Sequence, residues 1–352
     1  MKKIKVLVVD DSAIVRDVIS NELNKQPDME VVGVAIDPFI ARDKIVKLKP
    51  DVITLDIEMP RMDGLTFLEK LMQYYPIPVI IVSSITTQDK YAAIKALELG
   101  AFDVVNKPHG TYSVGEVKEE IITKIRNAFS NRETFLKKWH SVSKDIERAK
   151  TERKKYILSQ LTTTDKLIAI GASTGGTIAI EHILSSLPKN LPPIVITQHM
   201  PEGFTNQFAR RLNDMCELEV KEAEDEENLV AGTAYIAKGG KHLKFERSGN
   251  LLKTKLTDGE RVNFQRPSVD VMFKSIAEVA GKNALGILLT GMGRDGADGL
   301  LAMKQSGATT IAQDEKSSIV WGMPGAAVHI GAAMEVLPLD EIAKRIVEFA
   351  GR

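Results

Sequence analysis

Short runs of apolar residues alternate with longer amphipathic segments through the first 128 positions of the chain. In the longer segments hydrophobic residues recur every three or four positions, which predicts helices, whereas the short runs are apolar throughout and predict buried strands. Such strands are typical of a parallel sheet covered by helices on both faces. Five pairs follow one another: IKVLVV with SAIVRDVISNEL, MEVVGVA with PFIARDKIVKL, DVITLD with GLTFLEKLMQ, PVIIVSS with KYAAIKALEL, and AFDVVN with VGEVKEEIITKIRNAF.

A second alternating series begins near residue 166 and predicts another parallel sheet. Its apolar runs are KLIAI, PPIVITQHM, ALGILLTGMG, ATTIAQ and MEVLPL. Between residues 217 and 262 the pattern changes to the short pieces TAYIA, KHLKFE and NLLKTKL, separated by the turn sequences GG, SGN and DG, which favour hairpins. The sequence therefore predicts an α/β protein with two doubly wound parallel-sheet domains, the second carrying appended β-hairpins.

A charged segment separates the two series. Residues 132–155 hold nine basic and four acidic side chains and few apolar ones. We interpret this segment as a solvated, charged helical linker rather than a patch that binds nucleic acid or membrane. The predicted organisation is a first domain at residues 1–128, a linker at 129–164 and a second domain at 165–352.

The overall charge and the cysteine content limit the classes of partner. The 352 residues include 47 basic and 47 acidic side chains, so the molecule as a whole does not attract nucleic acid, and no such partner is expected. Cys216 is the only cysteine, which excludes an internal disulfide and fits a reducing compartment. The apolar run VLVV near the start is too short for a signal peptide or a membrane span. We therefore expect a cytoplasmic protein without membrane insertion.

Polar residues end the predicted strands of the first domain. Asp10 and Asp11 follow the first strand, Asp56 ends the third, Ser83 ends the fourth and Lys107 follows the fifth. The carboxyl ends of parallel strands border one crevice, so these side chains should meet there. Clustered carboxylates repel one another, and Mg2+ relieves the repulsion while leaving coordination sites for a phosphate. Acids at strand ends can also cap helices, but capping alone does not explain the whole set.

Four motifs, VLVVDDS, LDIEMPRMDG, VSS and NKP, resemble the receiver domain of two-component response regulators, which has a flavodoxin-like fold. The resemblance covers residues 1 to about 128. It implies that Asp56 accepts a phosphoryl group from a histidine kinase. The Mg2+ ligands that it implies are Asp10, Asp11, Asp56 and the backbone carbonyl near Glu58.

The switch residues implied by this resemblance are Ser83 and Lys107, which contact the phosphoryl oxygens. Many receivers carry an aromatic switch residue three positions before the lysine, and here Val104 occupies that position. We therefore expect the signal to pass through repacking of the last strand and helix of the domain rather than through an aromatic rotamer change.

The stretch KLIAIGASTGGT places a glycine-rich turn after an apolar run of the second domain. Gly171 and Gly176 fit the outer glycines of a dinucleotide fingerprint, but Ser173 replaces the middle one; a P-loop would need a lysine where Thr177 stands. Instead, the spacing from Gly171 through Ser173 to Gly175 matches the G-x-S-x-G turn that exposes a nucleophile between a strand and a helix. A serine here could also merely cap the following helix.

A serine nucleophile needs a base and an acid. Of the six histidines, His199 is best placed, because it ends the strand predicted to lie beside that of Ser173. Asp295 and Asp298 follow another strand; Asp295 is nearer to the strand end, and Asp298 is expected to begin the next helix. Spacing alone leaves two equal alternatives, a Ser173–His199–Asp295 triad and three unrelated polar caps.

The order Ser, His, Asp along the chain differs from the Ser, Asp, His order of ordinary α/β-hydrolases. Triads depend on geometry rather than on order, so this difference favours a distinct fold with the same chemistry. The glycines of TGMG can bring backbone N–H groups close to a developing oxyanion, and Thr174 and Met292 are the candidate donors.

Six motifs between residues 165 and 350 are similar to the catalytic domain of the chemotaxis receptor methylesterases: GASTGG, QHMPEGFTNQFARRLN, YIAKGGKHL, FQRPSVDVMF, LLTGMGRDGADGL and WGMPGAA. The resemblance implies a Rossmann-like α/β esterase domain, a triad of Ser173, His199 and Asp295, and no cofactor for the esterase. It implies that the substrates are glutamate γ-methyl esters on methyl-accepting chemotaxis receptors, and that receptor glutamines are deamidated.

Together, the two resemblances predict a monomeric esterase activated by phosphorylation of Asp56, with the first domain packed over the crevice of the second before activation. The rival hypothesis is a response regulator whose second domain binds a partner without catalysis.

Overall fold

The structure is a computed structural model that describes residues 3–84, 87–107, 110–151, 165–249 and 251–351. Contacts between residues divide the chain into two units, Met1–Trp139 and His140–Arg352. No helix in the described ranges is both long enough and apolar enough to cross a membrane.

The first unit contains a parallel sheet of five strands in the order β2-β1-β3-β4-β5 among its described residues. The strands are β1 (Ile4–Val9), β2 (Met29–Ala35), β3 (Val52–Asp56), β4 (Val79–Ser83) and β5 (Asp103–Asn106). The helices are α1 (Ala13–Asn24), α2 (Pro38–Leu48), α3 (Gly64–Tyr74), α4 (Thr87–Glu98) and α5 (Gly110–Thr151). The central strands are buried along their length, as their apolar sequences predict.

Polar residues fix where three of these helices begin. Ser12, Asp37 and Asp63 are the N-cap residues of α1, α2 and α3, and each side chain accepts a hydrogen bond from a backbone N–H of the first turn. Such caps satisfy donors that have no partner within the helix. The caps fix where the helices begin after β1, β2 and β3, and because these strands are parallel, their carboxyl ends lie at one edge of the sheet.

The last helix of this unit differs from the expectation for residues 129–164. The segment is helical as far as Thr151, but two of its aromatic residues, Phe135 and Trp139, are buried. Phe135 packs edge-on against Phe102, with ring centroids 4.9 Å apart, and stacks with Trp139 at 6.0 Å; all three rings are buried. Apolar burial against the first unit therefore replaces the predicted exposure in this part of the linker. Residues 152–164 of the predicted linker lie outside the described residues.

Gly100, in the turn before β5, makes room for this aromatic packing. Its φ is 105°, in the region that favours glycine, and a Cβ at this position would lie 2.8 Å from the indole ring of Trp139. The turn, Phe102 and α5 thus form one packed group at the amino end of β5. The limits of the two domains otherwise stay a prediction.

The second unit contains a parallel sheet of seven strands in the order β14-β13-β12-β6-β7-β9-β8 among its described residues. The strands of the unit are β6 (Leu167–Ala172), β7 (Ile194–Gln198), β8 (Glu219–Glu222), β9 (Thr233–Ile236), β10 (His242–Ser248), β11 (Leu251–Thr257), β12 (Ala284–Leu288), β13 (Thr309–Gln313) and β14 (Glu335–Leu337). The helices are α6 (Gly176–Leu184), α7 (Phe204–Asn213), α8 (Val269–Val279), α9 (Ala297–Gln305), α10 (Met323–His329) and α11 (Leu339–Gly351). The prediction of two parallel-sheet α/β domains is confirmed.

One antiparallel hairpin is appended to this sheet, formed by β10 and β11, which contain HLKFE and LLKTKL from two of the predicted pieces. The third short piece, TAYIA, instead contributes β9, which pairs in parallel with β7 and β8 inside the main sheet. The burial of all four β9 residues explains this placement, because a strand that is apolar on both faces belongs in the sheet interior.

We expect the substitution Phe135→Ala to lower the free energy of unfolding of the first unit by about 3 kcal/mol or more, since it removes a buried aromatic ring. Trp139 fluorescence during urea unfolding, in a Trp321→Phe background that leaves Trp139 as the only tryptophan, reports on this unit. Lys137→Ala, at an exposed position on the same helix, is the control and should change stability by less than about 0.5 kcal/mol. Equal stability of the two variants would contradict the burial of the linker aromatics.

Candidate functional site

Three carboxylates converge at the carboxyl edge of the first sheet. Asp10 and Asp11 follow β1, Asp56 ends β3, and one carboxylate oxygen of each lies within 4.8 Å of the others. Asp10 and Asp56 are buried, and Asp11 is exposed. Burial, together with the charge of Asp10, raises the pKa of Asp56 to about 6. A divalent cation such as Mg2+ fits this set of oxygen donors, since its charge would offset the repulsion among them.

Lys107 joins this cluster from the fifth strand. Its Nζ atom lies 2.7 Å from Oδ2 of Asp56 and 3.1 Å from Oδ2 of Asp10. The backbone N–H of Lys107 donates to the carbonyl of Ser83 at 2.7 Å, which brings the ends of β4 and β5 together. The predicted cluster is therefore assembled at one sheet edge, with a half-buried ammonium group compensating part of the carboxylate charge.

Two further residues adjoin the carboxylates. Glu58 is exposed, and its backbone N–H donates to Oδ1 of Asp56 at 3.3 Å; metal binding through its carbonyl stays a prediction. Arg16 was not predicted: its Nη1 atom donates to the carbonyls of Asp10 and Asp11 at 2.8 and 2.9 Å. Only the three-dimensional turn of α1 brings this guanidinium back to the strand end, so the sequence spacing gave no signal for it.

Ser173 lies in a tight turn between β6, which ends at Ala172, and α6, which begins at Gly176. Gly175 is the N-cap of α6, with a φ of 79° in the left-handed region that favours glycine, and no side chain caps the helix. The alternative in which Ser173 merely caps the helix is therefore not supported. The carbonyl of Ser173 accepts a hydrogen bond from the N–H of Gly176 at 2.7 Å, and the residue remains partly exposed.

His199 directly follows β7, the neighbour of β6 in the sheet. Ala172 pairs with Gln198, and the N–H of His199 donates to the carbonyl of Ala172 at 3.1 Å. Ser173 and His199 are thus the first residues beyond two adjacent strand ends. Their side chains share no hydrogen bond within the described part of the chain, and such bonds often tighten only when substrate binds.

Five hydrogen bonds converge on the buried carboxylate of Asp295, in the loop after β12. The donors are Nε2 of His199 at 2.8 Å, Asn263 Nδ2 at 3.0 Å, Ser268 Oγ at 2.7 Å, and the backbone N–H groups of Val269 at 2.7 Å and Asp270 at 3.2 Å. Burial opposes ionisation, but the hydrogen bonds outweigh it and lower the pKa of Asp295 to about 2. The residue is therefore a carboxylate at neutral pH.

The orientation of the His199 ring follows from this contact. Its Nε2 atom is engaged by Asp295, while Nδ1 is buried and has no hydrogen-bond partner among the residues that the structure describes. An unpaired buried nitrogen is costly unless another group uses it. Nδ1 is thus the ring atom that can exchange a proton with a nearby hydroxyl.

Gln198 holds the two strand ends together, although the sequence did not suggest it. Its buried Nε2 atom donates to the carbonyl of Ser173 at 3.0 Å and to that of His199 at 3.1 Å. Gly176 allows this approach, because a Cβ there would lie 2.1 Å from Oε1 of Gln198. One amide group therefore fixes the backbone of both residues.

The loop after β12 touches the serine turn at Gly291. A Cβ at Gly291 would lie 2.8 Å from the Cβ of Ser173, so only glycine permits this approach. The N–H of Ser173 donates to the carbonyl of Thr290 at 3.0 Å, and Oγ1 of Thr290 donates to the carbonyl of Thr174 at 2.9 Å. Thr174 and Met292, the predicted oxyanion donors, belong to the two segments in contact here; their role stays a prediction.

Two other residues, Asp298 and His242, were alternatives for the acid and the base, and both have other hydrogen-bond partners. Asp298 lies in the first turn of α9, as expected, and its Oδ1 atom is 2.8 Å from Nη2 of Arg294. His242 is buried, its Nδ1 atom accepts the N–H of Ser268 at 3.2 Å, and burial lowers its pKa. Neither residue contacts Ser173 through a hydrogen bond in the described ranges.

In the comparison with known proteins, each unit matches the model of a protein family. A model of the CheB methylesterase family matches residues 168–346, and a model of the response regulator receiver domain matches residues 6–116. The chain is 54% identical over 347 residues to the protein-glutamate methylesterase/protein-glutamine glutaminase 2 of Syntrophus aciditrophicus, with 99% of each chain covered. It is 50% identical over 349 residues to the protein-glutamate methylesterase/protein-glutamine glutaminase of Salmonella typhimurium, covering 99% of this chain and 97% of that one.

Among solved structures, the CheB methylesterase catalytic domain of Thermotoga maritima is similar to the second unit. The identity is 40% and the TM-score 0.52, with 53% of this chain and 99% of that chain covered. Both resemblances predicted from the motifs are confirmed by these matches.

We expect Asp10→Asn to weaken Mg2+ binding by about tenfold or more, because it removes one of the clustered carboxylate charges. Isothermal titration of the full chain with Mg2+ measures the effect. Asp17→Asn, which removes an exposed acid from α1, is the control and should bind Mg2+ with unchanged affinity. The same affinity for both variants would argue against a metal site at the three carboxylates.

Proposed function

The chain belongs to the CheB methylesterase family and carries a response regulator receiver domain, and on this basis we propose that it is a phosphorylation-regulated serine esterase of chemotaxis receptors. Its substrates are glutamate γ-methyl esters on methyl-accepting chemotaxis receptors, which it hydrolyses to glutamate and methanol. It also deamidates receptor glutamines with release of ammonia; the names of its relatives contain both activities.

One juxtaposition carries this proposal: the Ser173 turn lies beside the His199–Asp295 pair at the carboxyl edge of β6 and β7. The strand order changes direction at β6, since the chain continues through β7 on one side and returns to β12 on the other. Ligands of open parallel sheets bind at such a switch point. The position of the three residues therefore supports a reaction site rather than three separate caps.

In the first step, Oγ of Ser173 attacks the ester carbonyl carbon while Nδ1 of His199 takes the hydroxyl proton. The resulting imidazolium is stabilised through its Nε2–H by the carboxylate of Asp295. The N–H groups of Thr174 and Met292 donate to the oxyanion of the tetrahedral intermediate. When the intermediate collapses, Nδ1 returns the proton to the departing methoxide oxygen, and methanol leaves.

In the second step, water attacks the acyl-enzyme, and the same nitrogen takes a proton from the water and returns it to Oγ of Ser173. Glutamate is the product. A glutamine side chain follows the same route, except that the leaving group is ammonia, so one site performs both reactions.

Regulation begins at Asp56, which accepts a phosphoryl group from a histidine kinase. Asp10, Asp11, Asp56 and the backbone carbonyl near Glu58 would hold Mg2+, whose charge would offset that of the transferred group. Lys107 and Ser83 contact the phosphoryl oxygens. Before phosphorylation, the Lys107 ammonium group donates to Oδ2 of Asp56. Phosphorylation of this oxygen would replace that hydrogen bond with contacts to the phosphoryl oxygens.

The signal leaves through β5, which precedes Lys107. Val104 on this strand is buried and carries no aromatic switch, whereas Phe102 at its amino end packs on Phe135 of α5. A shift of β5 therefore changes the packing of α5, the helix that follows this strand in the chain. A coupling of about 1 to 3 kcal/mol between phosphorylation and esterase activity corresponds to roughly 5- to 150-fold activation.

The remaining expectations are part of the same proposal. The single cysteine supports a reducing compartment, so the protein acts in the cytoplasm. We expect a monomer, and the equal numbers of basic and acidic residues favour no nucleic-acid partner. The competing function, a response regulator whose second unit binds a partner without catalysis, predicts phosphorylation at Asp56 but no methanol release.

Ser173→Ala should lower methanol release from methylated receptor by about 10³-fold or more, because no other group can form the acyl-enzyme. The assay measures methanol and, in parallel, phosphorylation of Asp56, which should be unchanged. Ser248→Ala, at an exposed serine of the same unit, is the control and should keep wild-type activity. Methanol release at the wild-type rate by Ser173→Ala would disprove the proposed nucleophile.

Phosphorylation is tested on the full chain with a small-molecule phosphodonor. The wild type should release methanol roughly 5- to 150-fold faster with the donor than without it. Asp56→Asn should show the same basal rate and no stimulation, since its amide cannot accept the phosphoryl group. Equal stimulation of both proteins would rule out Asp56 as the point of control.

A further inference from the structure

A two-residue turn brings a side chain from the loop before α8 into the neighbourhood of Asp295. Val262 and Gln265 exchange backbone hydrogen bonds of 3.1 and 2.9 Å, and the residues between them, Asn263 and Phe264, have φ values of 52° and 64°. Asn is among the residues that tolerate this left-handed conformation, whereas Phe is not. A turn with this backbone strain persists only where its surroundings hold it in place.

The two side chains of the turn point to opposite environments. Phe264 is 80% exposed, whereas the amide of Asn263 reaches two buried carboxylates. Nδ2 of Asn263 donates to Oδ2 of Asp270 at 2.8 Å and to Oδ1 of Asp295 at 3.0 Å. Both N–H bonds of the amide are used, one on each acid.

The two carboxylates differ in how well they are stabilised. Asp270 also accepts the N–H of Gly299 at 2.6 Å, but burial and then the charge of Asp295 raise its pKa. Asp295 has the larger set of donors and a lowered pKa. Without the bridging amide, two like charges would face each other with one donor fewer on each, which would favour rotation of the Asp295 carboxylate away from Asp270.

We propose that Asn263 is a positioning residue of the esterase: its amide holds Asp295 in the orientation that accepts Nε2–H of His199 and separates it from the charge of Asp270. The inference rests on the proposed function, because it assigns Asn263 a part in the reaction of Ser173. Asn263 acts only through Asp295 and His199. Its loss therefore lowers kcat and leaves substrate binding intact.

Asn263→Gly is the decisive variant, because glycine adopts the positive φ freely and removes only the amide. We expect kcat for methanol release to fall by about 10- to 100-fold, as for a lost hydrogen bond to a charged group, with KM within about twofold of wild type. Asn263→Asp, which also tolerates this backbone, replaces the donor with a third negative charge and should reduce kcat further. It is the second variant if Asn263→Gly folds poorly.

Phe264→Gly is the matched control, since it makes the same substitution at the neighbouring position of the same turn. It relieves backbone strain and removes no contact with either acid, so kcat should stay at the wild-type value. Proton NMR of the His199 Nε2–H adds a readout that a purely structural role would not move. The low-field resonance expected for this hydrogen bond should shift upfield or disappear in Asn263→Gly and persist in Phe264→Gly.

Wild-type kcat and an unchanged resonance in Asn263→Gly would overturn the proposal. The same holds if Asn263→Gly and Phe264→Gly lose activity equally, because the turn backbone rather than the amide would then be responsible. The NMR readout needs no turnover. If the wild type showed no esterase activity, the proposed function would be wrong. The NMR measurement would still test whether Asn263 orients Asp295 toward His199.

Discussion

The buried carboxylate of Asp295 is the point on which the site of the second unit depends. A charge in the protein interior is unfavourable unless hydrogen bonds compensate it, and here five donors do so. The donors come from the end of β7, from the loop before α8 and from the first turn of α8. Compensating this single charge therefore fixes three separate segments of the chain around His199, and the imidazole is oriented with Nδ1 directed away from the acid.

The sequence predicted the parts of the site that lie at strand ends, and for a physical reason. Apolar runs locate the strands, and the carboxyl ends of parallel strands must share an edge, so position made Ser173, His199 and Asp295 candidates, while three unrelated caps stayed an equal alternative. Gln198 and Asn263 could not be found in this way. Gln198 is one buried polar residue within a strand, and its two contacts depend on the register of β6 and β7. Asn263 reaches Asp295 only through a left-handed turn that apolar periodicity does not report.

In the first unit, position along the chain again predicted a cluster of polar residues, because the carboxylates lie at strand ends. The charge of the segment after residue 128 predicted a solvated helix, but two aromatic residues of this helix are buried. Phe135 and Trp139 are one helical turn apart and lie on the same face of α5, where they meet Phe102. Two aromatic residues among many charged ones have little effect on the mean hydropathy of the segment, yet they determine which face of α5 is buried. Because Phe102 adjoins β5, the strand that leads to Lys107, this packing links the carboxylate cluster physically to the long helix.

The central claim is that Ser173 is a nucleophile activated by His199. Reaction of the phosphorylated full chain with a fluorophosphonate, followed by mass spectrometry of its peptides, tests the claim most directly, because the reagent bonds covalently to activated serines. Our account predicts a phosphonyl adduct on Ser173 in the wild type and labelling slower by about 10²-fold or more in His199→Gln, which lacks the base. An adduct on a different residue, or equal labelling rates in the two proteins, would contradict it.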